Sequence, residues 1–178
     1  MKFMLNTERP SKSTLRRQYS LIGLLACLST PLFAQTLEEE QQVAEAKIQL
    51  PAPPFADKLV AFYSNAAQSF VLDMASLSIT ADGIVRYTVV STSAAGAKNI
   101  SYEGIRCATL EKKLYAIGRP DGTWSNARIS KWDLIYNNNF NRHHAVLAFD
   151  YFCEGKTIAG NAEAIIDRIK KKQTIKPY

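Results

Sequence analysis

The chain is poor in the residues that build metal centres and thiol or histidine active sites. Its 178 residues include three cysteines and two histidines, and the histidines, His143 and His144, are adjacent. Adjacent side chains point to opposite faces of a strand and about 100° apart on a helix, so this pair is a poor metal site. The sequence also lacks a zinc-cysteine pattern, a metalloprotease motif and a phosphate-loop lysine. We therefore expect no metal, no cofactor and no nucleotide site.

Long hydrophobic runs are missing as well. The longest candidate, residues 21–33, is interrupted by a Ser-Thr-Pro segment, whereas a membrane-spanning helix needs about 20 apolar residues. Basic residues precede this run, and Ala34 follows it as the small residue that signal peptidase requires. The pattern predicts a signal peptide over residues 1–34, export, and a mature protein that begins near Gln35.

Two features of the export segment leave its processing open. Residues 24–27 resemble a lipobox, which would make Cys27 an acylated N-terminus and anchor the protein in the envelope. The pair Arg16-Arg17 loosely resembles a twin-arginine signal, although ordinary secretion fits better. The predicted location is therefore the periplasm, with a lipid anchor in the envelope as the alternative.

The excess of basic residues argues against nucleic acid once the signal peptide is removed. The whole chain has 22 basic and 16 acidic residues; residues 1–34 hold five of the bases and one of the acids, which leaves 17 against 15. Membrane contact is expected only through a lipid on Cys27 or through a basic C-terminal tail, which we interpret as the end of a helix. The basic residues of this tail are Arg168, Lys170, Lys171, Lys172 and Lys176.

Removal of the signal peptide also leaves only Cys107 and Cys153 as thiols in the predicted mature chain. In an oxidising compartment a disulfide between them is the default expectation. The rival hypothesis makes Cys107 a catalytic nucleophile that His143 or His144 activates. A nucleophile must be a free thiol, so the two hypotheses exclude each other.

Residues 35–54 are predicted to form an arm ahead of the domain. A capping-box pattern opens a short, highly charged helix that would run to about Ile48, and three prolines then favour a stiff extended spacer. The predicted helix has few apolar positions with which to dock on another surface. The remainder, residues 55–178, has the length of one domain.

Strand patterns begin this domain. Asp82-Gly83 is the signal of a tight hairpin, and Val85, Tyr87 and Val89 alternate with polar residues in the strand that follows. Such alternation predicts an antiparallel sheet with one buried face and one solvated face.

Helical patterns are confined to the C-terminal third. Asn161 can cap a helix that runs to about residue 171. Residues 142–153 fit a helix in which His144 lies on the apolar stripe, but a strand is nearly as defensible. We therefore predict an α+β fold: a single domain with a curved antiparallel β-sheet, packed by one or two C-terminal helices and holding one disulfide.

Candidate binding residues lie mainly on the predicted sheet. Arg86, Glu103 and Arg106 are on neighbouring strands, where they form either an exposed cross-strand ion pair worth at most about 1 kcal/mol or a carboxylate-binding patch. Tyr102 and Trp124, with Tyr115 and Trp132, are either core residues or a ligand platform. His144 is a further candidate, and Asp73 with Ser76 is interpreted as a local turn.

Several segments follow each other in a specific order and spacing. These segments are Val71–Leu77, Asp82–Thr88, Ser101–Cys107, Leu114–Arg119, Trp124–Ser125, Asn141–Arg142, His144 and Asp150–Cys153. They resemble the cryptic-neisserial-protein-like family of exported proteobacterial proteins over about residues 50–153. This resemblance implies an exported domain and carries over no catalytic residue. The order of strands, turns and cysteines is also similar to surface-adhesin protein E domains, which implies an antiparallel sheet packed by helices.

Together these features favour a non-enzymatic periplasmic domain that binds an envelope protein or a cell-wall component. Its sheet would offer edge pairing or groove contacts to such a partner. The alternative is a small Cys/His-dependent or hydrolytic periplasmic enzyme that uses Cys107, His144 and a carboxylate such as Asp150.

Overall fold

The structure is a computed structural model that describes residues 44–138 and 141–175. The predicted signal peptide, Cys27 and most of the predicted arm helix lie outside the described residues, as does Lys176 of the basic tail. All described residues fall within one compact unit, which agrees with the predicted single domain.

An antiparallel sheet of seven strands forms the centre of the domain. The five long strands lie in space in their order along the chain, and the two short strands β6 and β7 both pair with β5. Short hairpins join consecutive strands, which makes their pairing antiparallel. The strands are β1 (Leu59–Ser64), β2 (Gln68–Ile79), β3 (Ile84–Ser93), β4 (Lys98–Arg106), β5 (Glu111–Gly118), β6 (Trp124–Asn126) and β7 (Asp133–Leu134).

Local irregularities bend this sheet. The pairing register shifts between Asp73 and Ser78 in β2, and again between Tyr102 and Glu103 in β4. Such bulges bend a strand and increase its twist. At the predicted Asp82-Gly83 turn, Gly83 has a φ of +72°, which a glycine adopts without strain. The hairpin prediction is confirmed.

Two helical segments cover one face of the sheet. The first, α1 (Arg142–Ala145), continues as a π-helical segment (Val146–Phe152), so the open choice over residues 142–153 is settled as helix up to Phe152. A two-stranded ribbon of β8 (Cys153–Glu154) and β9 (Thr157–Ile158) leads to α2 (Ala162–Lys170). A single 3₁₀ turn, Ala56–Lys58, precedes β1.

The ends of these helices differ in how they are capped. The Asn161 side chain accepts a hydrogen bond from the Ala164 N–H at 2.9 Å, so the predicted cap of α2 is confirmed. Asn141 precedes α1 but makes no capping bond with its side chain. At the other end of α2, Arg168 donates to the carbonyl oxygens of Tyr151 and Ala159. This member of the basic tail therefore helps to fix α2 in place.

The main hydrophobic core lies between the sheet and the helices. Val85, Tyr87 and Val89 face it, as their alternation predicts, and each is at most 2% exposed. The helical segments contribute side chains that are fully buried: Leu147, Phe152, Ile165 and Ile169. Since α2 presents its apolar stripe to this core, burial rather than intrinsic propensity stabilises so short a helix.

The opposite face of the sheet is also covered, so the prediction of a solvated second face is wrong. Arg86 and Thr88 point to that face, yet their side chains are 2% and 0% exposed. Residues 44–54 form no helix or strand, and Glu45, Ile48 and Pro51 of this segment contact that face. The predicted helix up to Ile48 is therefore also wrong for the described part of the arm. The backbone N–H and C=O of Ala46 bond to side chains of the sheet instead of to other turns of a helix.

The predicted disulfide is confirmed. Cys107 follows the end of β4, Cys153 opens β8, and their Cα atoms lie 5.5 Å apart. The bond joins the sheet to the end of the π-helical segment across 46 residues of sequence. It therefore holds the two layers of the main core together at one end.

Replacing both Cys107 and Cys153 with alanine should lower the free energy of unfolding by about 4 kcal/mol, because a loop of this length is no longer closed in the unfolded chain. Urea unfolding with and without a reducing agent measures the effect. The reducing agent should destabilise only the wild-type protein. A double variant within 1 kcal/mol of the wild type would contradict a structural role for the bond.

Candidate functional site

A buried hydrogen-bonded pair lies between β4 and α1. The Glu103 carboxylate and the Nε2 atom of His144 are 2.8 Å apart, and both residues are less than 10% exposed. The same carboxylate accepts hydrogen bonds from the hydroxyl groups of Tyr87 at 3.2 Å and Ser101 at 2.6 Å. Because Glu103 is next to Tyr87 in the register of β3 and β4, its side chain points to the helical layer. We call Glu103 and His144 the buried pair.

The surroundings of the buried pair shift the pKa of three groups. Burial alone would raise the pKa of Glu103, but the charge and hydrogen bond of His144, together with the Ser101 hydroxyl, hold that pKa at about 2. Burial and the Glu103 charge raise the pKa of Tyr87. Burial and the nearby His144 lower the pKa of His143 to about 4. His143 is therefore uncharged near neutral pH. Its ring stacks on Phe70 at a centroid distance of 4.3 Å, so its role is packing.

The residues of the predicted enzyme do not form a thiol site. Cys107 is in the disulfide, and Nε2 of His144 is bonded to Glu103. A hydrogen bond that is screened from solvent, between His144 and the Glu103 carboxylate, holds α1 against the sheet. Within the described residues, no group of three His, Cys, Asp or Glu side chains could hold a metal ion.

A second polar site lies on the opposite face, where the arm contacts the sheet. The Glu45 carboxylate contacts Lys113 Nζ at 2.7 Å and accepts a hydrogen bond from the Tyr115 hydroxyl. Arg86 donates to Asp82 at 2.8 Å and to the carbonyl oxygen of Ala46 at 3.0 Å. The Ala46 N–H donates in turn to Asp82 at 2.7 Å. Both the backbone and a carboxylate of the arm are thus bound by this surface.

Aromatic residues continue this surface beside the charged groups. Between centroids, the Tyr102 ring lies 5.8 Å from the Tyr115 ring and 6.1 Å from the Trp124 ring. Ile48 packs against the cluster that contains Tyr102 and Tyr115. The indole N–H of Trp124 donates to the carbonyl oxygen of Pro51 at 2.8 Å. We call the surface formed by Arg86, Tyr102, Lys113, Tyr115 and Trp124 the arm face.

Gly104 allows Tyr115 to approach the sheet closely. It lies opposite Arg86 in the register of β3 and β4, and a Cβ atom at this position would be 2.9 Å from the Tyr115 ring. Such a contact is too short for carbon atoms, so any larger residue would displace the ring. A glycine in mid-strand therefore has a specific purpose here.

The charges on the arm face shift the pKa of the groups that meet there. Burial would raise the pKa of Glu45, but hydrogen bonds from Lys113 and Tyr115, with the charge of Lys113, lower it overall. The pKa of Asp82 is also lowered, since its bonds from Thr80 and Ala46 and the charge of Arg86 outweigh the effect of burial. Burial and the bond to Glu45 raise the pKa of Tyr115. The carboxylates of this site are therefore ionised at neutral pH.

The structure separates the predicted candidates Arg86, Glu103 and Arg106. The expectation of an exposed ion pair among them is wrong, because Arg86 and Glu103 face opposite sides of the sheet and both are buried. Arg106 pairs with Glu111 at 3.6 Å and lies 4.1 Å from the centre of the Trp132 ring. Arg86 does bind carboxylate groups, but they are those of Asp82 and, at 3.9 Å, Glu45.

The remaining predicted residues lie on both faces of the sheet. Tyr102 and Trp124 join the arm face, while His144 belongs to the buried pair. Asp73 and Ser76 form a local structure at the bulge of β2: the Ser76 hydroxyl donates to the Asp73 carbonyl and accepts from the Thr88 N–H, both at 2.8 Å. Sequence reasoning missed Lys113, Asp82 and Glu45. The sequence carries no signal for Glu45, because its partial burial is seen only in the folded arm.

A hollow of about 410 Å³ lies at the other end of the sheet, beside β1. Its lining includes Ala61, Phe62 and Tyr63 of β1, with Phe70, Tyr151 and Lys172. Among the strands of the described chain, β1 pairs only with β2, so it is an edge strand. We call this hollow with its strand the edge groove.

Fold and sites define an α+β domain whose antiparallel sheet is covered on both faces and whose layers are joined by a disulfide. The family model of the CNP1-like family matches residues 38–170, well over half of the chain, and the protein belongs to this family. No curated protein and no solved structure matches the chain significantly. The similarity to protein E domains therefore stays a prediction. The family match begins ahead of Glu45, so the arm residues that contact the sheet lie within it.

No helix in the described part of the chain is long and apolar enough to cross a membrane.

Replacing Glu103 with glutamine should lower the free energy of unfolding at pH 6 by about 1–3 kcal/mol, because the variant loses a charge-assisted bond in a buried site. The pKa of Glu103 is about 2 in the folded protein against 4.5 ordinarily, so the ionised carboxylate stabilises the fold fully above pH 4.5. The difference between variant and wild type should shrink as the pH falls from 4.5 towards 2. Urea unfolding as a function of pH measures it.

The matched control is Glu111→Gln, which removes the same charge from the more exposed pair with Arg106. It should cost less than about 1 kcal/mol. Equal losses of unfolding free energy for the two variants would argue against the buried pair. A loss for Glu103→Gln that does not change with pH would do the same.

Proposed function

We propose that the protein is an exported, non-enzymatic binding domain of the bacterial envelope, and that its ligand is an extended peptide segment of an envelope protein. The observation that carries this proposal is the edge groove. An edge strand offers unpaired backbone groups to which an extended segment can add as a further strand. The hollow beside β1 can receive a side chain of that segment, since aromatic rings line much of it.

Charge favours an acidic segment. Lys172 lines the groove, and Lys170 and Lys171 are close to it in sequence at the end of α2. Lys171 pairs with Asp167 at 2.8 Å. A carboxylate on the ligand would meet the positive potential of this helix end, which would steer the association more than strengthen it.

Export is supported by the predicted signal peptide and by the disulfide. Disulfides persist mainly in oxidising compartments such as the periplasm. A protein retained by a lipid on Cys27 would display the same domain from the membrane surface. Both forms suit a domain that binds another envelope component.

The enzyme alternative needs a reduced Cys107, whereas this sulfur is bonded to Cys153. A binding role needs no reactive group. It is therefore the function that we favour.

The intact mass of the protein purified from the envelope tests the processing. We expect a mature chain that begins at Gln35. A diacylated chain that begins at Cys27 would instead establish the lipid-anchored form. The uncleaved mass in the cytoplasmic fraction alone would contradict export.

Panning a random peptide display library on the purified mature protein tests the binding role. We expect enrichment of peptides in which apolar and polar residues alternate and which carry an acidic residue. Lys172→Glu should slow their association at least tenfold and lower their affinity accordingly, because it replaces an attracting charge in the groove with a repelling one. Hydrogen exchange of the complex should show protection in β1.

The control variant is Lys170→Glu, which makes the same change on the exposed surface of α2, outside the lining of the groove. Its affinity should stay within about twofold of the wild type. No enrichment, or enriched peptides that bind both variants equally, would refute the edge groove as the binding site.

A further inference from the structure

The arm lies on the sheet with a period of three residues. Glu45, Ile48, Pro51 and Pro54 are partly buried, whereas the residues between them are exposed, apart from Ala46 with its two backbone bonds. Three residues per turn is the period of a polyproline II helix, which has no internal hydrogen bonds and is favoured by prolines. The arm therefore presents one edge of a polyproline-type helix to the sheet.

Three of these partly buried positions each meet a different kind of group on the arm face. The Glu45 carboxylate is bound by Lys113 and Tyr115, and Ile48 packs against the cluster that contains the rings of Tyr102 and Tyr115. At Pro51 the carbonyl oxygen accepts from the Trp124 indole. Grooves lined by aromatic rings with an indole donor recognise proline-rich segments in other domains by the same physical means.

Groups of the sheet hold the arm face in shape. Arg86 is fixed by Asp82 at 2.8 Å, and the close approach of Tyr115 is made possible by Gly104. These contacts involve no residue of the arm. Arg86 and Lys113 together carry two positive charges against the single charge of Asp82, and Glu45 of the arm supplies the missing negative charge.

We propose that the arm face is a binding groove for polyproline-type segments of other proteins that carry a carboxylate, an aliphatic residue and a proline at three-residue intervals. Residues 45–54 are its built-in occupant, and a partner segment of the same chemistry binds by displacing them. The arm thereby sets a threshold of affinity that a partner must exceed. This groove is on the opposite side of the sheet from the helical layer and shares no residue with the edge groove. An experiment can therefore refute binding at one groove while binding at the other stands.

The experiment uses the full mature protein and a fluorescent synthetic peptide with the sequence of residues 44–55. In the wild-type protein the tethered arm competes with the peptide at high effective concentration, so binding should be weak. The arm variant Glu45→Gln/Ile48→Ala weakens the occupant but leaves the groove intact. We expect it to bind the peptide at least tenfold more tightly than the wild type, measured by fluorescence anisotropy.

Two further measurements assign the contacts. A peptide with glutamine in place of its Glu45 equivalent should bind the arm variant about tenfold more weakly, since it loses the charge-assisted bonds to Lys113 and Tyr115. The matched control Lys172→Glu, which alters the edge groove, should leave the affinity for the peptide unchanged. Equal binding of the two peptides, or no gain in the arm variant, would overturn the proposal.

A measurement on the wild-type protein covers the case in which the arm variant does not fold. In NMR spectra of the isotope-labelled wild-type protein, excess unlabelled peptide should change the chemical shift of the Ala46 amide from its value in the docked arm. An unchanged Ala46 signal at millimolar peptide would overturn displacement. Sedimentation of the wild-type protein tests another occupant: a dimer that the arm substitutions abolish would assign the groove to the arm of a second copy and overturn the assignment to a separate partner.

Discussion

The buried guanidinium group of Arg86 is the constraint around which this domain is organised. A charge that is 2% exposed is expensive unless carboxylates and hydrogen-bond acceptors surround it. Asp82 supplies the carboxylate from the turn between β2 and β3, and the arm supplies a carbonyl oxygen. The turn, the third strand and the arm are therefore coupled through one side chain. Loss of Asp82 would leave the buried cation with Glu45, at 3.9 Å, as its carboxylate partner.

Charged groups are segregated on the two faces of one sheet. Arg86 and its partners lie on the arm face, while the buried pair lies on the face that packs against α1 and the π-helical segment. The two sites are one residue apart in β3 and β4, because Tyr87 and Glu103 alternate with Arg86 and Gly104. Each layer that covers the sheet is thus held by its own bond to a carboxylate in addition to apolar contacts.

Short-range patterns made much of the fold predictable from the sequence. Asp82-Gly83 predicted its turn, Asn161 predicted the cap of α2, and the compartment predicted the pairing of Cys107 with Cys153. The docked arm was not predictable in this way. Its contacts join residues 36 to 73 positions apart, and charge without apolar periodicity favoured a solvated helix. Arg86 and Glu103 have the charge that is typical of surface residues, and only the register of β3 with β4 and the cover on both faces place them buried on opposite sides.

The position of the arm ahead of the sheet has a consequence for the order of assembly. A chain that emerges with its N-terminus first exposes Glu45, Ile48 and Pro51 before any strand of the domain exists. The surface that receives them is completed only with Trp124, which follows Pro51 by 73 residues. The first of its partners along the chain, Asp82, follows Ala46 by 36 residues, so until then the arm has no partner within its own chain. The outer layer of the sheet is thus the first part to be made and among the last to be put in place.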